Sequence, residues 1–253
     1  MADFVASVDK AVALSKEIDV TIAIGDNTDY GWSEIDIRTN LTTLKVFDYH
    51  ENVGYLGCAE RMMDDLHANK EFDYIIICNN DLQIDKMFFC NLLKIRSTHD
   101  IGWIAPDIHT LNRRTHENPF LSIRPTRFSF LKWKLLYSNV ILYYVIRKLS
   151  YRKRRRNIPQ ESFIYAGNGS FMIFTRDFFA KQEKLIFPSF MYGEEIFLAE
   201  LMLQNQLKVK VEPSLLVYNI GNVSVSKKGC AWICKQNRKT LKILYRQFFK
   251  YNS

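Results

Sequence analysis

Several things are missing from this chain of 253 residues, and each absence narrows what it can be. Its most apolar stretch has an uncharged core at residues 135–146, too short for the roughly 20 residues that span a bilayer. Residues 1–10 carry neither a basic n-region nor a long apolar core, so no secretory leader is expected there. The five cysteines, Cys58, Cys78, Cys90, Cys230 and Cys234, are an odd number. Cys230 and Cys234 stand at a helical spacing, but no histidine or second cysteine pair completes a zinc set. Cys58, Cys78 and Cys90 lie in apolar surroundings and are expected as buried thiols, which fits a reducing compartment, the cytoplasm. No glycine-rich phosphate loop opens the chain, which argues against a nucleotidyltransferase. There is no nucleic-acid-binding motif, no internal repeat and no low-complexity tract.

What is present is an ordinary globular composition, 47% hydrophobic and 25% charged, with an elevated aromatic share of 14%. The net charge of +8 is unevenly placed. Residues 113–156 hold thirteen Lys and Arg against one acid, Glu117, a local net of +12 that leaves −4 for the remainder. The chain is thus a mildly acidic body with one strongly basic segment.

Apolar periodicity predicts a helix over residues 4–16, with Val5, Val8, Val12 and Ala13 on one side. A buried strand is expected at 19–24, closed by Gly25-Asp26-Asn27, and another at 44–47. A Gly-bearing loop at 52–57 precedes a helix over 58–68. Residues 73–78 read as the clearest strand, ended by Asn79-Asn80-Asp81. A helix over 86–96, with Phe89, Leu92 and Leu93 inward, then leads to a strand at 101–105. This alternation argues for an α/β fold around a mostly parallel sheet flanked by helices. Residues 106–162 interrupt the order and hold four of the six prolines. Later elements are a strand at 170–174, a helix over 194–206, a short strand at 209–211 and a basic amphipathic helix over 232–251.

Ligands of parallel α/β sheets sit beyond the carboxyl ends of the strands. Two acidic turns fall there, Asp26-Asn27 and Asn79-Asn80-Asp81. A carboxylate at a strand end can share a Mg²⁺ or Mn²⁺ with substrate phosphates, although Asp and Asn are also ordinary turn residues. A third element, Tyr192-Gly193-Glu194-Glu195, sets two carboxylates at a helix start. Acids there also simply complement the helix dipole.

Four segments in order, Asn52-Val53-Gly54-Tyr55, Tyr74 to Asp81, Gly169-Ser170-Phe171-Met172 and Tyr192-Gly193-Glu194-Glu195, resemble the landmarks of family-two glycosyltransferases. The nearest flavour is the rhamnosyltransferase-like branch that builds bacterial surface polysaccharides. The resemblance implies a single GT-A-like domain over 1–253, with 113–158 as a basic apolar insertion. It implies inverting transfer from a nucleotide-sugar donor to a saccharide or lipid-linked acceptor, assisted by a divalent metal (Mg²⁺ or Mn²⁺). Carried over, Asp26 and Asn27 match the turn at the nucleoside, and Asn52 and Gly54 the loop beside the donor. Asn79 and Asp81 match the ends of the family's Asp-x-Asp motif, with Asn80 between them and Asp81 as the metal contact. Glu195 matches the general base, with Glu194 second.

The chain departs from the family pattern in four places. The family's opening strand has no counterpart before the first helix. Asn79 replaces an acid, and Glu60 stands where an Asn is usual. The stretch Tyr218-Asn219-Ile220-Gly221 lacks the family's metal-ligating histidine, and no His follows His116. A degenerate or truncated relative that acts as a binding or membrane-associated module is therefore the alternative.

Residues 128–149 are apolar and aromatic, punctuated by Lys132, Lys134, Arg147 and Lys148, and the run Arg152-Lys153-Arg154-Arg155-Arg156 follows. That pattern suits an interfacial helix on an anionic membrane, placing the protein peripherally on the inner face of the cell membrane. An ordinary solvated basic face on a packed helix pair fits it equally well, and nucleic acid ranks lower.

Overall fold

The structure, a computed structural model, describes residues 1–15, 18–28, 31, 37–95, 99–110, 115–150, 159–220 and 229–250. The chain opens with α1 (Ala2–Leu14), whose buried Val5, Val8, Ala11 and Val12 form one helical stripe. The strands β1 (Thr21–Asp26) and β2 (Thr43–Asp48) pair in parallel as a separate two-stranded sheet. Next come α2 (Tyr55–Asp65), α3 (Ala68–Glu71), β3 (Tyr74–Cys78), β4 (Leu82–Ile84), α4 (Phe88–Leu92) and β5 (Ile101–Thr110). The middle of the chain holds β6 (Thr115–His116), α5 (Arg127–Ser138), α6 (Val140–Ser150) and β7 (Ser162–Ile164). It closes with β8 (Phe171–Thr175), α7 (Arg176–Lys181), α8 (Glu194–Gln204), β9 (Lys208–Asn219) and α9 (Cys230–Leu244), which runs on as a π-helical turn, Tyr245–Phe249.

The main sheet has seven strands in the order β3-β8-β5-β9-β4, with β6 on β5 and β7 on β9. The α/β class holds, but the expectation of a mostly parallel sheet does not. Among the described residues only β1·β2 and β5·β9 pair in parallel, while β3·β8, β5·β8, β4·β9, β5·β6 and β7·β9 are antiparallel. The local βα alternation is real through β5. The sheet is mixed because β8, far along the chain, inserts between β3 and β5 and runs against both. Side chains alternate across β8: Phe171 and Ile173 join the core under α1 and α4, and Met172 and Phe174 join the core under α8.

Other boundaries shift for identifiable reasons. α2 starts three residues early, at Tyr55. The expected helix over 86–96 contracts to α4, leaving Leu93 exposed while Phe89 and Leu92 are buried. The expected short strand at 209–211 extends to all of β9, which carries a register shift opposite Pro106/Asp107 where Pro213 and Ser214 lie. β4 was not anticipated, because three residues carry too little pattern. The apolar insertion is a pair of helices, not a single interfacial one. Asn139 breaks the run, and its Oδ1 accepts from Leu142 N–H (3.0 Å), capping α6. Thr126 and Ser129 form a capping box at the start of α5. All five cysteines are free. Cys58 is buried as expected, whereas Cys78 and Cys90 are only partly so, Cys78 because it lies on the sheet's outermost strand.

Candidate active site

The four motif segments, far apart in sequence, meet at one end of the sheet through backbone contacts. Asn27 Nδ2 donates to the Gly54 carbonyl (3.0 Å), and Val53 N–H donates to Asn27 Oδ1 (2.9 Å), which fastens the end of β1 to the 52–54 loop. Gly54 N–H donates to Asn52 Oδ1 (3.2 Å) within that loop. Gly54 has φ +81°, and a Cβ there would sit 2.1 Å from the Phe190 carbonyl oxygen. Only glycine lets this loop press against the segment leading into the two glutamates. On the other side, Asn79 N–H donates to the Ser170 carbonyl (2.9 Å), setting the Asn79–Asp81 turn beside Gly169. The Gly169 N–H lies near enough to the Glu195 carboxyl to favour its charged form, and a Cβ on Gly169 would lie 2.9 Å from Glu195 Oε1. The glycine is what gives that carboxylate room.

Tyr192 and Gly193 both adopt positive φ, +69° and +82°, turning the chain sharply into α8. A non-glycine residue in that region stores strain of about 1–3 kcal/mol and often marks a functional site. The turn lets Tyr192 N–H donate to Glu194 Oε1 (2.8 Å). α8 itself is nearly all apolar and buried, and the ion pair of Arg124 Nε with Glu200 (2.8 Å) anchors its middle, with Tyr165 Oη also donating to Glu200 (2.8 Å).

Electrostatically the end of the sheet is a set of desolvated acids. Burial, then the neighbouring Glu195, pushes the Glu194 carboxyl up to about 8. Glu195 is partly exposed by surface area, yet burial of its carboxyl raises it too, opposed by the N–H groups of Gly169 and its own backbone. Glu194 is therefore held uncharged near neutrality, which spares Glu195 a like-charged neighbour. Burial also raises Asp81, while its own N–H and the Met1 ammonium pull it down.

The predicted residues fall into two groups. Asp81, Glu194 and Glu195 share the acidic end of the sheet, with Tyr55 between them. Asp26, Asn27, Asn52, Gly54, Asn79 and Asn80 line the mouth of a cavity of about 550 Å³. Asn27 and Asn52 spend side-chain oxygens on holding the loop. Asp26, 2% exposed, accepts from Thr28 N–H through Oδ1 (2.9 Å), and its Oδ2 is buried without a hydrogen-bond partner among the described residues. Among the described residues no group of three or more His, Cys, Asp or Glu side chains is arranged to hold a metal. Asp81 alone at the turn fits a cation that arrives with substrate phosphates. Asn219, where the family's histidine is absent, pairs with Leu82, one residue from Asp81; residues 221–224 of that motif lie outside the described residues.

Nothing in the sequence assigned roles to the aromatics here. The Tyr55 hydroxyl is buried and unpartnered among the described residues, and it stays protonated because burial and then the charges of Cys78, Glu194, Glu195 and Asp81 raise it. Tyr137 of α5 is within electrostatic reach of Glu195 and Tyr192, its ring packs tilted against Tyr143 of α6 at 5.5 Å, and Tyr192 meets Trp232 of α9 edge-on at 6.2 Å. The insertion thus lies near the end of the sheet that carries the glutamates, which no local spacing could show. His116 Nδ1 lies 2.7 Å from Asp107 and its ring stacks on His109 at 4.8 Å, at the same end of β5 that pairs with Tyr218 and Asn219.

No family model matches the chain, and no curated protein matches it in sequence. Among solved structures it is similar to A197 from STIV, with 12% identity, 81% of this chain and 87% of that chain covered, and a TM-score of 0.47. It is also similar to GalNAc-T7 with UDP, GalNAc and Mn2+, with 14% identity, 80% of this chain covered and a TM-score of 0.45. The chain spans 36% of that second protein's length. At these scores neither likeness carries functional weight.

Proposed function

We propose that the chain is a GT-A-like glycosyltransferase, one unit over 1–253, that moves a sugar from a nucleotide-sugar donor to an acceptor hydroxyl with inversion. The observation that carries this is the meeting of Asp81, Gly169 and the Glu194–Glu195 pair at one sheet end, where the Asn79 N–H is bonded to the Ser170 carbonyl and Gly169 lies against the Glu195 carboxyl. The rhamnosyltransferase-like branch rests on the ordered sequence landmarks alone.

Glu195 accepts the proton of the acceptor hydroxyl, and the freed oxygen attacks the anomeric carbon from the face opposite the leaving group. The bond to the diphosphate oxygen breaks and that oxygen keeps the electron pair. A base at this position contributes typically about 10²–10⁴-fold. Glu194 retains its proton and keeps the pair from carrying two charges. Asp26 Oδ2, without a partner among the described residues, would accept from a donor group on the nucleoside, and the N–H groups of the first turn of α2, from Tyr55 on, would face the diphosphate. A divalent metal bound at Asp81 would neutralise charge on the leaving diphosphate. Tyr137, Tyr143, Tyr192 and Trp232 form an aromatic shelf for the acceptor. Replacing Glu195 with Gln should remove transfer while leaving donor binding; unchanged turnover would refute the base.

α5 and α6 expose Phe128, Leu131, Leu135, Ile141 and Leu149 beside Lys132, Lys134, Arg147 and Lys148. No helix among the described residues is long and apolar enough to cross a membrane. The mixed apolar and basic face is read as docking on anionic lipid at the inner face of the cell membrane, near a lipid-linked acceptor, each cation contributing about 1 kcal/mol. The basic run at 152–156 lies outside the described residues. Liposome co-sedimentation with and without residues 128–156 tests this, and equal pelleting would refute it. A second reading, a binding module without turnover, is favoured by one observation: Asn27 and Asn52 are already committed to holding the loop.

A further inference from the structure

One face of the main sheet carries a row of polar side chains that the proposed transfer does not use. Ile108 of β5, Val217 of β9 and Ile84 of β4 face the core under α1 and α4. Alternation therefore turns His109, Tyr218 and Gln83 to the opposite face, the one covered further along by α8. Strand pairing sets them side by side. His116 stands opposite His109, His109 opposite Tyr218, and Tyr218 opposite Gln83. The row crosses four strands in steps of about 4.8 Å. His109, Tyr218 and Gln83 are half-buried, and the His116 side chain is 9% exposed.

Both ends of the row are held by carboxylates. Asp107, 2% exposed, lies 2.7 Å from His116 Nδ1. A carboxylate only accepts, so Nδ1 carries the hydrogen and Nε2 keeps a lone pair for another group. The His109 ring lies parallel to His116, within 5° and at 4.8 Å, and steadies it from the side. At the other end Tyr218 Oη donates to Asp85 Oδ2 (3.4 Å), which leaves the lone pairs of the hydroxyl as acceptors. Imidazole, phenol and amide are all groups that both donate and accept. A row of such groups without Lys or Arg does not favour an anion. Two parallel rings do not aim their nitrogens at one point, so it does not favour a metal ion either.

The row runs between the two acidic parts of the candidate site. β3 and β4 lie at opposite borders of the sheet, so the Asn79–Asp81 turn crosses its end, and Gln83 follows two residues after Asp81. On the other flank the buried Asn118 donates to the Pro106 carbonyl (2.7 Å) and accepts from Asn168 N–H (2.7 Å). The next residue, Gly169, lies against Glu195. We propose that His116, His109, Tyr218 and Gln83 form a binding floor for one neutral sugar unit of the acceptor. Sugar hydroxyls both donate and accept, as every group of the row does, and one pyranose ring presents several of them along a line. The acceptor role rests on the proposed transfer, whereas sugar binding by the row stands without it.

The test is histidine-labelled NMR of the full chain, titrated with the methyl glycosides of glucose, galactose, N-acetylglucosamine and rhamnose. The chain has five histidines, and His50, His67 and His99 are exposed and serve as internal references. The His109 and His116 signals should shift saturably with at least one glycoside while the other three stay still. Tyr218→Phe combined with Gln83→Ala should weaken that binding about tenfold. His109→Gln, read at His116, takes its place if the double variant does not fold. No shift with any of the four glycosides overturns the floor, as does a shift of equal affinity in the variants. Shifts with Zn²⁺ or inorganic phosphate but with no glycoside overturn it too, in favour of that ligand. Glycoside shifts in a chain that binds no nucleotide-sugar keep the floor and sink the transferase. Glu195-dependent transfer without glycoside shifts does the reverse.

Discussion

β3 and β8 are neighbouring strands with equally apolar sequences, and they end in different states. Every residue of β8, from Phe171 to Thr175, is buried, whereas β3 buries one of its five. The difference is neighbours: β8 is flanked by β3 and β5, and β3 has a partner on one side only. Composition sets what a strand can bury, and the sheet decides what it does bury. The same contrast divides the site. Its chemical half, Glu194, Glu195 and Gly169, hangs from the closed side of the sheet and is fully braced. Its donor half, Asp26, Asn27 and Asn52, hangs from the β1–β2 side, where β1 pairs on one side only among the described residues.

The closed half should be the more sensitive to substitution. The largest effect is expected from Glu195→Gln, which should lower the transfer rate about 10²–10⁴-fold with an unchanged circular dichroism spectrum. Asn27→Ala, in the open half, should loosen donor binding and spare the rate at saturating donor; equal effects of both would erase the contrast. Next in size is a pair of core truncations. Ile173→Ala on β8 should cost about 2–5 kcal/mol in denaturant unfolding, and Ile76→Ala on β3 clearly less. Similar costs would show that β3 is enclosed after all. Gly54→Ala should cost about 2–4 kcal/mol, combining a strained φ with a clash against the Phe190 carbonyl. A melting temperature within a degree of the parent's would contradict that close approach.

A smaller effect concerns pH. Glu194 holds its proton up to about 8 in the folded chain and releases it near 4.5 when unfolded. Between those values the folded state binds more protons, so stability falls as pH rises, by at most about 1.4 kcal/mol per pH unit. Glu194→Gln should flatten the melting-temperature profile from pH 5 to 8; a slope that persists unchanged would mean the acid titrates normally.

Much of this was legible from the residues. The α1 stripe, the strands β1, β2 and β3 and the acidic turns after β1 and β3 are local patterns, and they stand within a few residues of their expected places. The glutamates at the start of α8 were visible because Gly193 punctuates the chain just before them. Strand direction was not legible, since it depends on β8 arriving between β3 and β5 from far along the chain. Tyr55 and the Tyr137–Tyr143–Tyr192 cluster are not legible for the same reason: an aromatic reads as core until the fold sets it near a group of carboxyls. The bracing roles of Gly54 and Gly169 likewise need a contact partner more than twenty residues away before they mean anything.

The most direct measurement is calorimetric titration of the intact chain with UDP-, dTDP- and GDP-sugars in the presence of Mn²⁺, alongside Asp81→Ala. The account predicts that one nucleotide class binds, that binding weakens when Mn²⁺ is removed, and that Asp81→Ala loses the metal-dependent part. A folded chain that binds none of the three, or an Asp81→Ala chain that binds as the parent does, would contradict it.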